Sequence, residues 1–554
     1  MVDRLTVEVI RNAAIYASEE MGVVLRNTAY SPNIKDRLDH TCAVLAPWGE
    51  LVAQAEHIPV HIGSMAVGVE NTLRYLERQG ESLEPGDIIV VNDPYISGTH
   101  LNDITLLKPV YYNGEMVAIV ANKAHHVDVG GMVPGSIGGA RELLQEGIVI
   151  PPVKLAERGR IRWDIVRLLE ANVRTPHYLR GDLKAQIAAL NVGEKRIIEL
   201  AQRYGAKALM EAWRETLDYT ERYTKRRIEE LGVDGEAEAV DYIELSNEDA
   251  PIRVKLQVSS RDGRITVDYT GTHKQVEEPL NAVYGVTVAA TTFALKSIID
   301  PEMPVNHGFF RRVEVRAPKA TMVNPVPPAP VAGGNTETSQ RIADVVFAAL
   351  AKLLPGRVPA ASCGSMTNVM IGGYTPDGSR WAFYETIGCG SGGRPGKDGV
   401  DGVHTNMTNT LNTPIERMEV EYPVLFEAYE LRVDSEGPGR YRGGLGITRA
   451  FRLRSGRATL TVVAERCRRR PWGLEGGMPA ETASHYIVRA DGTVEPLPCK
   501  ATVELGEGDA VYINTPGGGG YGDPCRRDPA RVEADVADGK ITGERAGKHY
   551  CRPA

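Results

Sequence analysis

Residues 88–128 read IIVVNDPYISGTHLNDITLLKPVYYNGEMVAIVANKAHHVD. Ile88 to Val91 is an apolar run of strand formers that follows the turn Glu84-Pro85-Gly86-Asp87. Two more apolar runs, Ile104 to Val110 and Met116 to Ala121, flank Tyr112-Asn113-Gly114-Glu115. Asn-Gly between apolar runs predicts a tight hairpin. The stretch therefore predicts three neighbouring strands. His100 and Asp103 fall in the loop before the second, and His125, His126 and Asp128 fall just past the third. Polar residues at strand ends over a rigid sheet are a usual place for a site.

Working outward, residues 5–28 show helical spacing, with Val7, Val9, Ile10, Ala13, Ala14, Ala17 and Met21 largely on one face. Short strands are predicted over Cys42 to Leu45 and Leu51 to Ala55, and a helix over Gly63 to Arg78. Residues 177–231 read as helical and rich in charge pairs, ending at Gly232. After this the texture changes. Ile252, Val254, Leu256 and Val258 alternate, and Asp262-Gly263 marks a hairpin turn. A helix is predicted over 338–354, behind the stiff connector Pro325-Val326-Pro327-Pro328-Ala329-Pro330. The pattern predicts an α+β, multidomain chain of mixed β-sheets with helices. Residues 1–240 read as an N-terminal metal-binding α/β domain with a helical extension, 241–526 as a β-rich region, and 527–554 as a C-terminal tail.

Composition narrows the function classes. The 554 residues exceed one ordinary domain, and 42% hydrophobic with 25% charged residues is the balance of a globular chain. A net charge of −8 argues against a nucleic-acid platform. Seven scattered cysteines without a CxxC pair read as reduced thiols, not as a disulfide frame. The N-terminus lacks an apolar signal core, and Ala282 to Leu295 is too short to span a bilayer, so a cytoplasmic protein without membrane contact is expected. Neither GxxxxGK[ST] nor GxSxG occurs. Gly517 to Gly520 either allows close backbone approach or forms a flexible tail. Cys389 reads more readily as a small buried thiol than as a nucleophile.

The histidines are concentrated. Six of twelve, His40, His57, His61, His100, His125 and His126, lie between positions 40 and 126, interleaved with Asp39, Asp93, Asp103 and Asp128. Such imidazole and carboxylate clusters suit Zn²⁺, Mn²⁺ or Fe²⁺. His100 and Asp103 are three apart, so one turn can aim both at a common point. The residue types alone leave a plainer reading open, because a histidine after a strand is often a hydrogen-bonded core or surface residue. His57, His61 and His177 are read that way.

Several motifs in order resemble the hydantoinase B family. They are Arg37-Leu38-Asp39-His40-Thr41-Cys42-Ala43, Ala55-Glu56-His57-Ile58-Pro59-Val60-His61-Ile62-Gly63-Ser64-Met65, Asn92 to Tyr95 with Gly98 to Asp103, and Ala124 to Gly131. Gly437 to Gly444 and Thr515 to Pro524 complete the set, so the resemblance runs from about residue 3 to 526. It implies half of a two-part enzyme. An A-type ATPase partner phosphorylates a carbonyl or amide oxygen, and the B-type chain holds a metal and completes hydrolysis of a small-molecule cyclic amide: a hydantoin, 5-oxoproline or a lactam. Carried over by position, the ligands of one divalent metal (Mn or Zn) fall on His100, Asp103 and His125, with Asp39 the candidate fourth. His126 and Asp128 become the catalytic candidates that orient ligands or move protons. Arg341 and Arg394 are candidates for holding the leaving phosphate. The resemblance also implies ATP on the partner subunit and a hetero-oligomer such as a dimer of heterodimers. Two other readings stay open: the large subunit of an ATP-dependent ketone carboxylase, and an assembly subunit with a structural metal.

Overall fold

The computed structural model describes residues 2–55, 57–375 and 377–551. Its first sheet contains β1 (His40–Leu45), β2 (Leu51–Gln54), β3 (Ile88–Val91), β4 (Asp103–Tyr112), β5 (Glu115–His125), β6 (Val153–Glu157) and β7 (Arg160–Ile161). The spatial order is β2-β1-β5-β4-β3-β6-β7, with every pair antiparallel. The β4–β5 hairpin turns at Asn113 and Gly114, whose φ values of 52° and 84° suit that dipeptide. Both strands are longer than the apolar runs predict, so His125 ends β5 and does not lie beyond it. Polar residues extend these strands because the ladder bonds continue: Asp103 pairs with His125 in register.

Alternation sorts the side chains onto two faces. Cys42, Val44, Leu106 and Val120 join the main core with Ile10, Met21, Leu183 and Leu190, which come from the helices Arg4–Thr28 and Pro176–Tyr204. Ala43, Leu45, Ile89, Leu107, Ile119 and Ala121 pack instead on Met65, Val69 and Leu76 of the helix Ser64–Gln79. The charged helical stretch is two helices, Pro176–Tyr204 and Ala206–Glu229, broken at Gly205 where φ is 84°.

A second sheet has β8 (Asp234–Glu244), β9 (Asp249–Ser259), β10 (Arg264–Asp268) and β11 (Val313–Arg316) in the order β11-β10-β9-β8. The buried helices Tyr284–Ile299 and Ser339–Leu353 contribute to the same core as its apolar face. The C-terminal half holds β12 (Asn368–Tyr374), β13 (Arg380–Thr386), β14 (Val424–Leu431), β15 (Ile447–Leu453), β16 (Arg457–Val463), β17 (Ser484–Val488), β18 (Val494–Leu497), β19 (Lys500–Gly506) and β20 (Ala510–Asn514). They form two sheets, β13-β12-β16-β19 and β14-β15-β20-β17-β18, over one shared core. No helix among the described residues is long and apolar enough to cross a membrane.

The cysteines are not the reduced thiols that their spacing suggests. Six cysteines are paired, as Cys363–Cys389, Cys467–Cys499 and Cys525–Cys551, and Cys42 alone is free. The pairing comes from register, which spacing does not reveal. Cys363 and Cys389 flank the β12–β13 hairpin, and Cys467 and Cys499 flank the paired strands β16 and β19. The pairing also removes Cys389 as a nucleophile candidate. Residues 527–551, in the segment read as a C-terminal tail, are folded. They form the helices Pro529–Ala537 and Gly543–His549, and buried Arg527 ties Asp398 to Asp535. Residues 552–554 of that segment lie outside the described residues.

Candidate metal centre

The end of the first sheet carries the cluster. Asp103 opens β4 and His125 closes β5 beside it, on the face of the helix Ser64–Gln79. His100 arrives on the loop behind a short turn, Pro94–Ser97, whose Asp93 carboxylate accepts from Tyr95 N–H and which Gly98 ends at φ 81°. Lys123, fully buried on β5, donates to Ser97 O at 2.9 Å and to Thr99 Oγ1 at 3.0 Å, which fixes this loop. Ligand atoms of His100, Asp103 and His125 all lie within 4.8 Å of one another. His61, from the turn Pro59–His61, joins them: its Nε2 is 3.4 Å from Asp103 Oδ2, while His100 Nε2 is 3.4 Å from Asp103 Oδ1.

Each imidazole is oriented through its other nitrogen. His100 Nδ1 meets Ala332 O at 3.2 Å, and His61 Nδ1 meets Thr41 Oγ1 at 3.0 Å. His125 Nδ1 meets the Asn33 amide at 3.1 Å. Asn33 Oδ1 has no partner in this rotamer, so turning the amide over lets it accept Nδ1–H and frees Nε2 as a ligand. The Tyr384 ring stacks on His125 with centroids 4.7 Å apart, and the Arg37 guanidinium lies over the Tyr384 ring, 4.9 Å from its centroid.

Five buried atoms at this point have no hydrogen-bond partner: Nε2 of His61, His100 and His125, and both carboxylate oxygens of Asp103. Buried polar groups are ordinarily satisfied, so a concentration of bare N and O donors of this type fits a divalent cation. The electrostatics agree. Burial alone would raise the Asp103 carboxyl, but the imidazoles of His100 and His61 hold it well below the usual carboxylate range. Burial, reinforced by His100, keeps His125 neutral and so able to ligate. Asp39 lines the same cavity with His61, Asp103 and His125 but lies outside the closest trio. Burial raises its carboxyl against the pull of Arg37, with the charge of Asp103 adding to the rise.

The cavity is small, about 20 Å³, and is closed by residues from far along the chain: Asn335 and Thr336, Met366, Tyr384 and Thr386, and Met407 and Thr408. Sequence spacing gives no reason to bring these segments to the histidines. Asn335 and Thr336 belong to a π-helical turn, Gly334–Thr338, that precedes the helix predicted over 338–354. That stretch is held from below by Glu146, whose Oε1 accepts from Val331 N–H at 2.8 Å and Ala332 N–H at 2.9 Å.

Glu146 gives a pH prediction. Burial pushes its carboxyl from an ordinary 4.5 to about 8. Between those values the unfolded chain releases the proton while the folded chain keeps it, so this group's contribution to stability falls as pH rises. Glu146→Gln is expected to melt above wild type, with a margin that widens from pH 5 to pH 8. Paired thermal melts check this, and a margin that does not change with pH would count against it.

The two catalytic candidates lie elsewhere. His126 follows His125, so its ring turns to the opposite face and meets Gln186 Oε1 at 3.0 Å. Asp128 is saturated: it accepts from Gly130 N–H, Gly135 N–H, Arg174 N–H and Arg174 Nη1, which shapes the loop after β5. Arg341 is fully buried among Asp241, Asp344 and Glu465, and is therefore a structural charge and not a phosphate holder. Arg394 is exposed. His57 pairs with Glu19 outside the cluster.

Fold and cluster together define a multidomain α+β protein with a buried histidine–carboxylate centre in its first sheet. The chain belongs to the hydantoinase B/oxoprolinase family, whose model matches residues 3–524. It is 55% identical over 550 residues to an uncharacterised protein of Methanocaldococcus jannaschii, covering 99% of this chain and 96% of that protein. It is 35% identical over 547 residues to 5-oxoprolinase 1 of Arabidopsis thaliana, covering 94% of this chain but only 42% of that longer protein. The caprolactamase subunit beta of Pseudomonas jessenii is 31% identical over 566 residues, covering 99% and 96%. The crystal structure of the ATP-dependent caprolactamase from that organism superposes with a TM-score of 0.91 at 30% identity, over 99% of this chain and 96% of that one.

Proposed function

We propose that this chain is the metal-dependent B-type subunit of an ATP-dependent cyclic-amide hydrolase. Its substrate class is a hydantoin, 5-oxoproline or a lactam, activated by phosphorylation on an A-type partner subunit. The observation that carries the reading is the set of five bare ligand atoms at the ends of β4 and β5. The family's relatives named for 5-oxoproline and caprolactam support the substrate class, and the subunit name of the caprolactamase relative supports a partner. The absence of a phosphate loop from the sequence agrees with ATP bound elsewhere.

An amide resists attack because its nitrogen lone pair is delocalised. Phosphorylation of the oxygen removes that protection, and the B-type chain then has to deliver water to the carbon. His100, Asp103 and His125 would hold one divalent cation, Mn²⁺ or Zn²⁺, with Asp39 completing the set. Such a cation supplies Lewis acidity and a water of lowered pKa. The chain's own residues do the rest. Ala332 O, Asn33 and Thr41 aim the imidazoles. His61 Nε2 stands 3.4 Å from the second oxygen of Asp103. Asn335, Thr336, Thr386 and Thr408 offer polar groups around the enclosed cavity, and Ile58, Val60, Met366 and Met407 keep bulk water out.

The test combines purified chain, its A-type partner and ATP with 5-oxoproline, a hydantoin and caprolactam in turn. Ring opening of at least one substrate is expected, lost on chelation and restored by Mn²⁺ or Zn²⁺. No turnover of any of the three by a complex with measured metal content would overturn the reading.

A further inference from the structure

Away from this centre, the seam between the two C-terminal sheets holds a second group of reactive side chains. The sulfurs of Cys467 and Cys499 and one ring nitrogen of His485 lie within 4.8 Å of one another. Cys467 sits in the loop after β16, Cys499 stands immediately before β19, and His485 is the second residue of β17. The Cα atoms of the cysteines are 6.3 Å apart, within disulfide range. We propose that Cys467, Cys499 and His485 form a thiol–disulfide exchange site, on which a small thiol opens the Cys467–Cys499 bond and a small disulfide closes it again.

Three observations carry this. First, the tautomer of His485 is fixed. Asn514 N–H donates to its Nδ1 at 3.3 Å, so the ring proton resides on Nε2. Nε2 is buried and has no partner. An imidazole that carries a buried, unpartnered N–H and has one ring nitrogen within 4.8 Å of both sulfurs suits a thiolate, which such a donor stabilises, better than a cation, which needs a bare lone pair. Second, the two cysteine residues differ in exposure. Cys499 is buried at 8% exposure, whereas Cys467 is only half-buried and is followed by Arg468, Arg469 and Arg470. Third, the bond anchors something. The N–H groups of Cys467, Arg468 and Arg469 all donate to the Glu244 carboxylate at the end of β8, and Arg466 pairs with Asp241 and Asp344, so the loop joins this seam to the second sheet.

A thiolate of the small thiol attacks Cys467 Sγ; a new S–S bond forms there and the Cys467–Cys499 bond breaks. Cys499 leaves as a thiolate beside His485. A second thiolate then attacks the sulfur of the bound small thiol, releasing the small disulfide and the Cys467 thiolate. The two thiol protons end on the two cysteines, and two electrons pass from the thiols to the protein. A leaving thiol of lower pKa leaves faster, which is what the His485 donor provides.

The experiment treats the full chain with glutathione, blocks with N-ethylmaleimide and maps each cysteine peptide by mass. Opening of Cys467–Cys499 is expected, with glutathione trapped on Cys467. His485→Phe should slow that opening about tenfold, the equivalent of about one pKa unit, and His485→Gln, which keeps a donor, should recover most of the rate. The rate of Cys525–Cys551 should be the same in all three proteins. Equal Cys467–Cys499 rates in the three proteins, glutathione trapped on Cys499, or a bond that stays closed while Cys525–Cys551 opens would overturn the proposal. So would stoichiometric zinc on the reduced chain that is lost in His485→Phe, which would make the group a metal site.

Discussion

Under the proposed function, Asp103→Ala is expected to abolish divalent-ion binding and to lower ring opening by about 10³-fold, a loss of several kcal/mol of charge stabilisation. The size of the effect follows from geometry. Asp103 is a carboxylate flanked by two bare imidazole nitrogens, one on each oxygen, at 3.4 Å from His100 and 3.4 Å from His61. Without it, neighbouring imidazoles face one another with no anion among them, and a cation there has neutral ligands only, apart from Asp39. The backbone of Asp103 keeps its ladder position opposite His125, so the fold should survive. Metal content by elemental analysis and turnover of the A–B complex are the two readouts. His126→Gln provides the contrast, because its ring turns to Gln186 on the opposite face; activity should stay within about threefold of wild type, less than 1 kcal/mol. Asp103→Ala that retains stoichiometric metal, or His126→Gln that loses activity as severely, would reverse the assignment of roles.

The sequence announced part of this arrangement. The apolar runs around Asn113-Gly114 are enough to predict the hairpin, and the hairpin alone brings Asp103 to His125. Their common face also follows from strand alternation, once the strands are known to extend past their apolar runs. That extension was not legible, because Asn122, Lys123 and His125 look like loop residues until their ladder partners are seen. The same missing register put His126 with His125, although adjacent strand residues face opposite ways. His61 stands among the clustered histidines but reads as an ordinary core or surface residue, because its contact with Asp103 is created by a short turn 42 positions earlier. The roof of the cavity, Asn335 to Thr408, is assembled by tertiary packing between segments with no shared local pattern. The cysteine pairs were hidden for the same reason.

The glycine run is where a sequence signal with two readings is decided by packing, and it yields the second large effect. Gly518→Ala is expected to destabilise the C-terminal half by at least about 3 kcal/mol, the upper end of overpacking costs. A Cβ at Gly518 would stand 2.0 Å from Ser391 O, and its neighbours are as confined: 2.0 Å from Ser435 O at Gly517, 2.0 Å from Trp472 O at Gly519 and 2.1 Å from Pro438 O at Gly520. All of these obstacles are backbone atoms, which cannot swing aside. Backbone groups beside them are hydrogen-bonded to the run itself. Gly518 N–H donates to Gly444 O, Gly437 N–H to Gly518 O, Gly519 N–H to Ala361 O, and Gly393 N–H to Gly519 O. Four chain segments thus close on one extended strand of backbone, and only glycine lets them approach this near. A flexible tail would show none of this. Gly139→Ala is the matched control, since a Cβ there meets nothing within 4 Å and its φ is unremarkable; it should change stability by no more than about 0.5 kcal/mol. Urea titration of the two variants, followed by tryptophan fluorescence of Trp381 and Trp472, separates them. Coincident midpoints would mean that the segments around Gly518 can part without cost, and that the run is a hinge and not a junction.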